Sequence, residues 1–258
     1  MSGSSITARL AAAMLILCFG VCGAHATPAG GTGLLNDTGI TRCWNSKFEQ
    51  GECSRDHAGA WLEFDQDGRT GQDALAASGK LKKRGRGVAG FDFTKIGADG
   101  QKLPHDAASW GCVLDNRTGL MWEEHTQEGG LLGMDRGFEW YNSDDAANGG
   151  FAGYSKDGAS TESLVKAVNE EGLCGYQDWR MPGRMELISL VDYSKRRSEP
   201  AIDLGFFPHT QASGYWSSAA YAGKKELAWY VDFGKAGGDS NAARKDNRMC
   251  VRLVRVGI

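Results

Sequence analysis

Apolar residues spaced at three and four positions mark two helical stretches in this chain, and apolar residues alternating with polar ones mark a series of strands. Leu164, Val165 and Val168 form a stripe that predicts a helix over Thr161–Glu171. Ser160 or Thr161 can cap its first turn, Glu162 complements the dipole there, and Gly172 ends it. The stretch from Leu173 to Ser194 is denser in specialised residues: a cysteine, a glycine turn, the Trp179-Arg180 pair and Pro182, which suits a first helical turn because that turn needs no N–H donor. Met185, Ile188 and Val191 recur every three residues with Leu187 and Leu190 beside them. This predicts a helix with one broad buried face and with Arg184, Glu186 and Ser189 outward. Arg180 is expected to pair with a carboxylate such as Glu186 or Asp192 and to hold this stretch together.

The strand readings are Ala60–Phe64, Phe91–Ile96, a hairpin of Trp110–Asp115 and Thr118–Glu123 joined at Asn116-Arg117, and three later runs, Gly214–Ala219, Ala228–Phe233 and Arg248–Arg255. Trp122, Trp179, Trp216 and Trp229 fall inside these elements or the dense stretch and are expected to fill a core that short strands fill poorly. Two helices followed by a loop-rich antiparallel sheet give an α+β class. From Gln127 to Gly158 there is little periodicity and much Gly, Asp and Asn. Such a long loop is where binding surfaces are built, and Trp140 and Tyr141 in its middle are the aromatic surface candidates.

The N-terminus has its own pattern: Arg9, an apolar run from Leu10 to Val21, and Ala24-His25-Ala26 before a cleavage point. That reads as a signal peptide over residues 1–26, its apolar run too short for a span of about 20 residues. An N-terminal extension over 27–109, beginning as a flexible leader through Asn36, and a main domain over 110–258 follow. Removing 1–26 moves the net charge of the 258-residue chain from −3 to −4, a balance that argues against nucleic acid as a partner. A periplasmic or secreted protein that does not span the membrane is expected. Five cysteines remain, Cys43, Cys53, Cys112, Cys174 and Cys250, an odd number in a compartment where disulfides persist. Cys43 and Cys53 flank a polar loop without histidine and are expected to staple the extension as a local disulfide worth about 2 to 3 kcal/mol. Of the other three, two can pair internally.

No catalytic constellation stands out. His57, His105, His125 and His209 are scattered, and no glycine-rich phosphate loop or Gly-x-Ser-x-Gly elbow is present. Asp65 to Asp73 has the acidic spacing of the start of a calcium loop but lacks a third ligand and the closing glutamate, so it reads as a polar turn and no metal is expected. Charge is concentrated in Lys80 to Gly87, where Lys82, Lys83, Arg84 and Arg86 are candidates to hold sulfate or phosphate groups of an anionic polymer, against the simpler reading of a solvated loop open to proteolysis. Lys195, Arg196 and Arg197 form a second basic cluster.

An ordered set of short motifs carries a resemblance: Gly119-Leu-Met-Trp122, Leu173 through Pro182 with Glu186-Leu187, Tyr215-Trp-Ser-Ser218, Ala228 through Phe233, and Val251-Arg-Leu-Val-Arg255. Over about Trp110 to Val256 the chain resembles the bacterial Lcl C-terminal domain family, named after a collagen-like adhesin. The resemblance implies a C-type-lectin-like α+β fold, similar to that of formylglycine-generating enzymes, and, as for the adhesin, binding of sulfated glycosaminoglycans. The calcium-dependent sugar motif of true C-type lectins is absent, since Glu199-Pro200 is followed by Ala201 and no Trp-Asn-Asp run exists. Family variants with a cysteine near the closing Val-Arg motif favour a Cys174–Cys250 disulfide, with Cys112–Cys174 as the alternative.

The expected function is therefore a non-catalytic, cofactor-free binding protein of the cell envelope, attached to glycans or another anionic polymer. The alternatives are a structural or protein-interaction module of the envelope and, behind it, a cysteine or copper oxidase of the formylglycine-generating kind.

Overall fold

A computed structural model describes residues 32, 34–44, 50–51, 53, 66–127, 129–195, 199–234 and 238–257. The expected signal peptide, the strand at Ala60–Phe64, Asp65, Arg196 and Arg197 lie outside the described residues.

The described residues build three antiparallel sheets and few helices, an α+β arrangement. A two-stranded ribbon, β1 (Cys43–Trp44) and β2 (Gln50–Gly51), carries the Cys43–Cys53 disulfide. The first helix, α1 (Gly71–Ala77), follows a 3-10 turn at Asp67–Arg69 and was not foreseen, because its seven Ala-rich residues show no apolar stripe. The central sheet has the order β3 (Phe93–Ile96), β4 (Cys112–Asp115), β5 (Leu120–Glu123), β9 (Val254–Val256). Between β5 and β9 come α2 (Thr161–Glu171), α3 (Arg184–Ile188) and a second sheet of β6 (Gly214–Ala220), β7 (Leu227–Asp232) and β8 (Ser240–Arg244).

Every residue of β4 and β5 is buried, because the hairpin is covered on both faces. Val113, Leu120 and Trp122 join one cluster with Phe91, Phe93, Leu187, Val191 and Phe207. Cys112, Leu114 and Met121 join the other with Trp140, Leu164, Val168, Trp179 and Trp216. Burying a Leu, Val, Phe or Met side chain is worth about 1.5–3 kcal/mol, so these two clusters are the main source of stability.

The expected division at 109/110 falls inside this sheet. β3 comes from the segment expected to be an extension, yet it pairs along its length with β4, from Ile96 opposite Cys112 to Phe93 opposite Asp115. Of the leader expected through Asn36, two described residues are bonded to the body: Thr32 N donates to Thr118 O at 2.8 Å and Asn36 donates to Asp115 Oδ2 and to Ser189 O; just beyond it, Tyr193 N donates to Thr38 O.

Helix α2 forms as its pattern predicts. Ser160 and Ser163 exchange side-chain and backbone hydrogen bonds at the first turn, and Gly172 closes the helix at φ 71°. Helix α3 is shorter than expected. Ser189 Oγ donates to Glu186 O at 2.6 Å, and three residues after it Asp192 N donates to Ala201 O. With only five helical residues the spacing by three does not build one face: Leu187, Leu190 and Val191 are buried, whereas Met185 is 51% exposed.

The remaining disulfide joins Cys112 to Cys174, not Cys174 to Cys250 as favoured from the sequence. The reason is the two-faced sheet. Cys112 and Cys174 belong to one buried cluster and Cys250 to the other, so the hairpin lies between Cys174 and Cys250. Gly111 makes the room, since a Cβ there would stand 3.0 Å from the Cys174 sulfur. Cys250 has no disulfide partner among the described residues and is buried, with its thiol 3.9 Å from Gln211 Oε1.

Candidate functional site

Chain geometry turns the basic window into a row. From Lys80 to Gly87 exposure alternates: Lys80, Lys82, Arg84 and Arg86 are exposed, while Leu81, Lys83, Gly85 and Gly87 are half-buried. Two residues of extended chain advance by at most about 7 Å, so neighbouring cations of the row lie within that reach of one another along the backbone.

The row is held from below. Arg84 N and Gly85 N donate to the two carboxylate oxygens of Asp92, both at 2.7 Å. Arg86 exchanges two backbone hydrogen bonds with Phe93 of β3, and Val88 N donates to Asp203 Oδ2 at 2.9 Å. Gly85 is required here, because a Cβ would meet Phe93 O at 1.9 Å. These anchors fix the backbone of residues 84–88, while the four alternate cations are solvated. The anchoring also removes Lys83 from the candidates: its ammonium turns inward to donate to Gly87 O and Ala89 O at 2.6 and 2.7 Å, and burial lowers its pKa.

Beside the row opens a cleft of about 830 Å3. Arg84, Arg86, Lys83, Lys95 and His105 line it together with apolar Leu103 and Phe206, and among the described residues no Asp or Glu does. Lys95 is buried, donates to Ala107 O at 2.8 Å and stands 3.4 Å over the Trp110 ring. Burial lowers its pKa as well.

The other sequence-derived candidates go elsewhere. Trp140 is buried, its indole donating to Ser217 O at 2.8 Å, and Lys245 stands 4.3 Å over its ring, so it is core and not a surface platform. The surrounding loop is pinned to Thr161 through both backbone groups of Tyr141, and Tyr141 is half-buried beside a small cleft of about 180 Å3. Lys195 lies 3.9 Å from Glu199 and away from the row's cleft. Trp179 is buried and its backbone is clasped by the Asn169 amide. Arg180 makes two hydrogen bonds to Glu186, at 2.8 and 2.7 Å, and Glu186 also accepts from Gly183 N to start α3. Trp216 is buried and donates to Phe138 O. Trp229, expected in the core, is only half-buried: it lies on the outer side of β7 under the Arg184 guanidinium at 4.4 Å, with Tyr221 edge-on at 5.1 Å.

Two groupings escaped the sequence reading, the second in part. Under the end of β5, fully buried Arg252 donates to Glu123 O, Glu124 Oε2 and Thr210 Oγ1 at 2.7–2.9 Å. His125 Nδ1 lies 2.6 Å from Glu123 Oε1, and His209 Nδ1 lies 3.2 Å from Glu124 Oε1. Burial alone would raise the Glu123 pKa, but His125 and Arg252 outweigh it and hold the carboxyl below its usual range. Glu123-Glu-His125 at the end of an apolar strand was the visible signal for this network. In the second grouping only Asp37 escaped the sequence reading: it joins Asp67 and Asp73 of the acidic window as a third carboxylate, with oxygens of all three within 4.8 Å of one another. Burial first, then Asp37 and Asp67, push Asp73 up to about 6. Its oxygens serve the chain itself: Gly90 N donates to Asp73 at 2.6 Å and the Thr38 hydroxyl reaches both Asp67 and Asp73.

Chemically, exposed guanidinium and ammonium groups in a row can pair with sulfate, phosphate or carboxylate oxygens. A family model described as the Lcl C-terminal domain matches residues 111–255. No curated protein and no solved structure matches. Of the residues lining the cationic cleft, only Phe206 falls inside the matched stretch.

Proposed function

This chain belongs to the Lcl C-terminal domain family, and on that premise we propose that it is an exported, non-catalytic binding protein of the cell envelope that holds an anionic polymer, a sulfated or carboxylated glycan, on the row Lys80, Lys82, Arg84 and Arg86. The observation that carries this reading is the alternation itself. Four cations face water in sequence, none of them in an ion pair among the described residues, on a backbone fixed by Asp92 and β3. A preorganised row spends little ordering entropy on binding. Export is supported by the N-terminal pattern and by two disulfides, which persist in oxidising compartments. Among the described residues no helix is long and apolar enough to cross a membrane. The two-sheet, loop-rich α+β body is compatible with a C-type-lectin-like fold, which we adopt as part of the same reading.

The test is retention of the chain lacking residues 1–26 on immobilised heparin, eluted with increasing salt. Retention should fall steeply with ionic strength, and the quadruple variant Lys80→Ser, Lys82→Ser, Arg84→Ser, Arg86→Ser should flow through. Equal retention of that variant, or flow-through of the parent at low salt, would sink the proposal.

A further inference from the structure

The row and the cleft beside it differ in build. The row is open and polar, as a surface for one side of a long chain must be. The cleft is a partly open depression with a volume within the roughly 300–1,000 Å3 of small-molecule sites. Its cations include one that the fold has taken out of water: Lys95 is 6% exposed, stacks on Trp110, and makes one hydrogen bond, to Ala107 O. An ammonium has three donors: one goes to Ala107 O and another faces the Trp110 ring, which leaves one for a ligand, and none of the described residues lining the cleft is an Asp or Glu, although Asp106 lies near enough to favour the Lys95 charge. Leu103 and Phe206 add apolar surface, suited to the C–H face of a sugar ring. Arg84 and Arg86 belong to both features, which places the mouth of the cleft at the end of the row.

We infer that the cleft takes the terminal unit of the anionic glycan: one ring bearing a sulfate or carboxylate held by Lys95, Arg84 and Arg86, with the rest of the chain leaving along Lys82 and Lys80. This rests on the reading of the row as a polymer site. It adds that the protein recognises chain ends and that the recognition lies outside the family-matched residues.

Calorimetric titration of the chain lacking residues 1–26 tests it with three probes: a fully sulfated heparin disaccharide, the desulfated disaccharide that keeps its uronate, and neutral maltose. At least one anionic disaccharide should bind one-to-one, about tenfold or more tighter than maltose, and the better of the two identifies the group recognised. Ala77→Trp, at the exposed last residue of α1 that lines the cleft, should cut disaccharide affinity about tenfold or more while heparin retention persists. His105→Glu, at another exposed lining residue, should do the same by charge and serves if the tryptophan variant fails to fold. Lys80→Ser with Lys82→Ser should leave disaccharide affinity within about twofold and lower the salt needed for elution from heparin. Polymer retention without disaccharide binding, equal binding of maltose, or indifference to both cleft variants overturns the cleft and leaves the row standing. Disaccharide binding by a chain that passes through heparin overturns the row instead.

Discussion

Arg252 and Arg86 both sit beside strands of the central sheet, in opposite surroundings. Arg252 is fully buried, and its two terminal nitrogens meet a carbonyl, a carboxylate and a hydroxyl. Arg86 is exposed and, among the described residues, only its backbone is bonded. Nearby acids could have neutralised the row, but Asp92 is spent on the backbone N–H groups of Arg84 and Gly85, and Asp203 on that of Val88. The buried charge of Arg252 is therefore matched by charge, whereas charge in the row is left unmatched while its backbone is fixed. The first arrangement maintains a fold; the second leaves cations free for something that is not part of the chain.

The largest break of this contrast is Arg252→Met, which strands Glu123 and Glu124 in the interior. We expect a loss of about 3–5 kcal/mol in urea unfolding, and a loss under about 1 kcal/mol would show the pairing to be dispensable. Asp73→Asn acts in the other direction. A carboxyl with its pKa raised from 3.8 to about 6 favours the folded state when protonated, so its contribution is complete below 3.8 and is lost as pH rises through about 6. The asparagine variant should match the parent in Tm near pH 4 and exceed it near pH 7.5 by roughly 2–4 °C, about 1 kcal/mol for a domain of this size. Equal curves at both pH values would refute the assignment. The smallest effect on stability belongs to the quadruple serine variant of the row, within about 0.5 kcal/mol in the same assay, because surface groups without partners contribute little. A larger loss would mean that the row is structural after all.

Features set by neighbours in sequence were legible in it. Helix α2 was bounded correctly because its cap, stripe and terminating glycine are all local, and the hairpin of β4 and β5 followed from alternation around a short turn. The pairing of Arg180 was narrowed to two carboxylates, one of them Glu186, for the same reason of proximity. Features decided by which face of a sheet a residue occupies were not legible. Cys174 and Cys250 looked like partners until the hairpin came between them, and the Arg252 network draws on residues separated by 128 and 42 positions. Lys83 lay in between: in Leu81-Lys-Lys-Arg-Gly-Arg-Gly87 a period of two already sets Lys83 with Leu81, Gly85 and Gly87, apart from Lys82, Arg84 and Arg86.

The sheet order β3-β4-β5-β9 also imposes a schedule on a chain made from its N-terminus. Glu123 and Glu124 emerge early, but the guanidinium that neutralises them follows 128 residues after Glu124, on the segment leading into β9. Until then the half-built sheet keeps two carboxylates that can be tolerated only in water, so its interior cannot close. Cys112 and Cys174, by contrast, are both present well before β9 arrives, and their bridge can form on the incomplete body. Closure of this sheet therefore waits on a long-range contact, and once the chain is in an oxidising compartment the Cys112–Cys174 bridge can tether the first half before that contact is made.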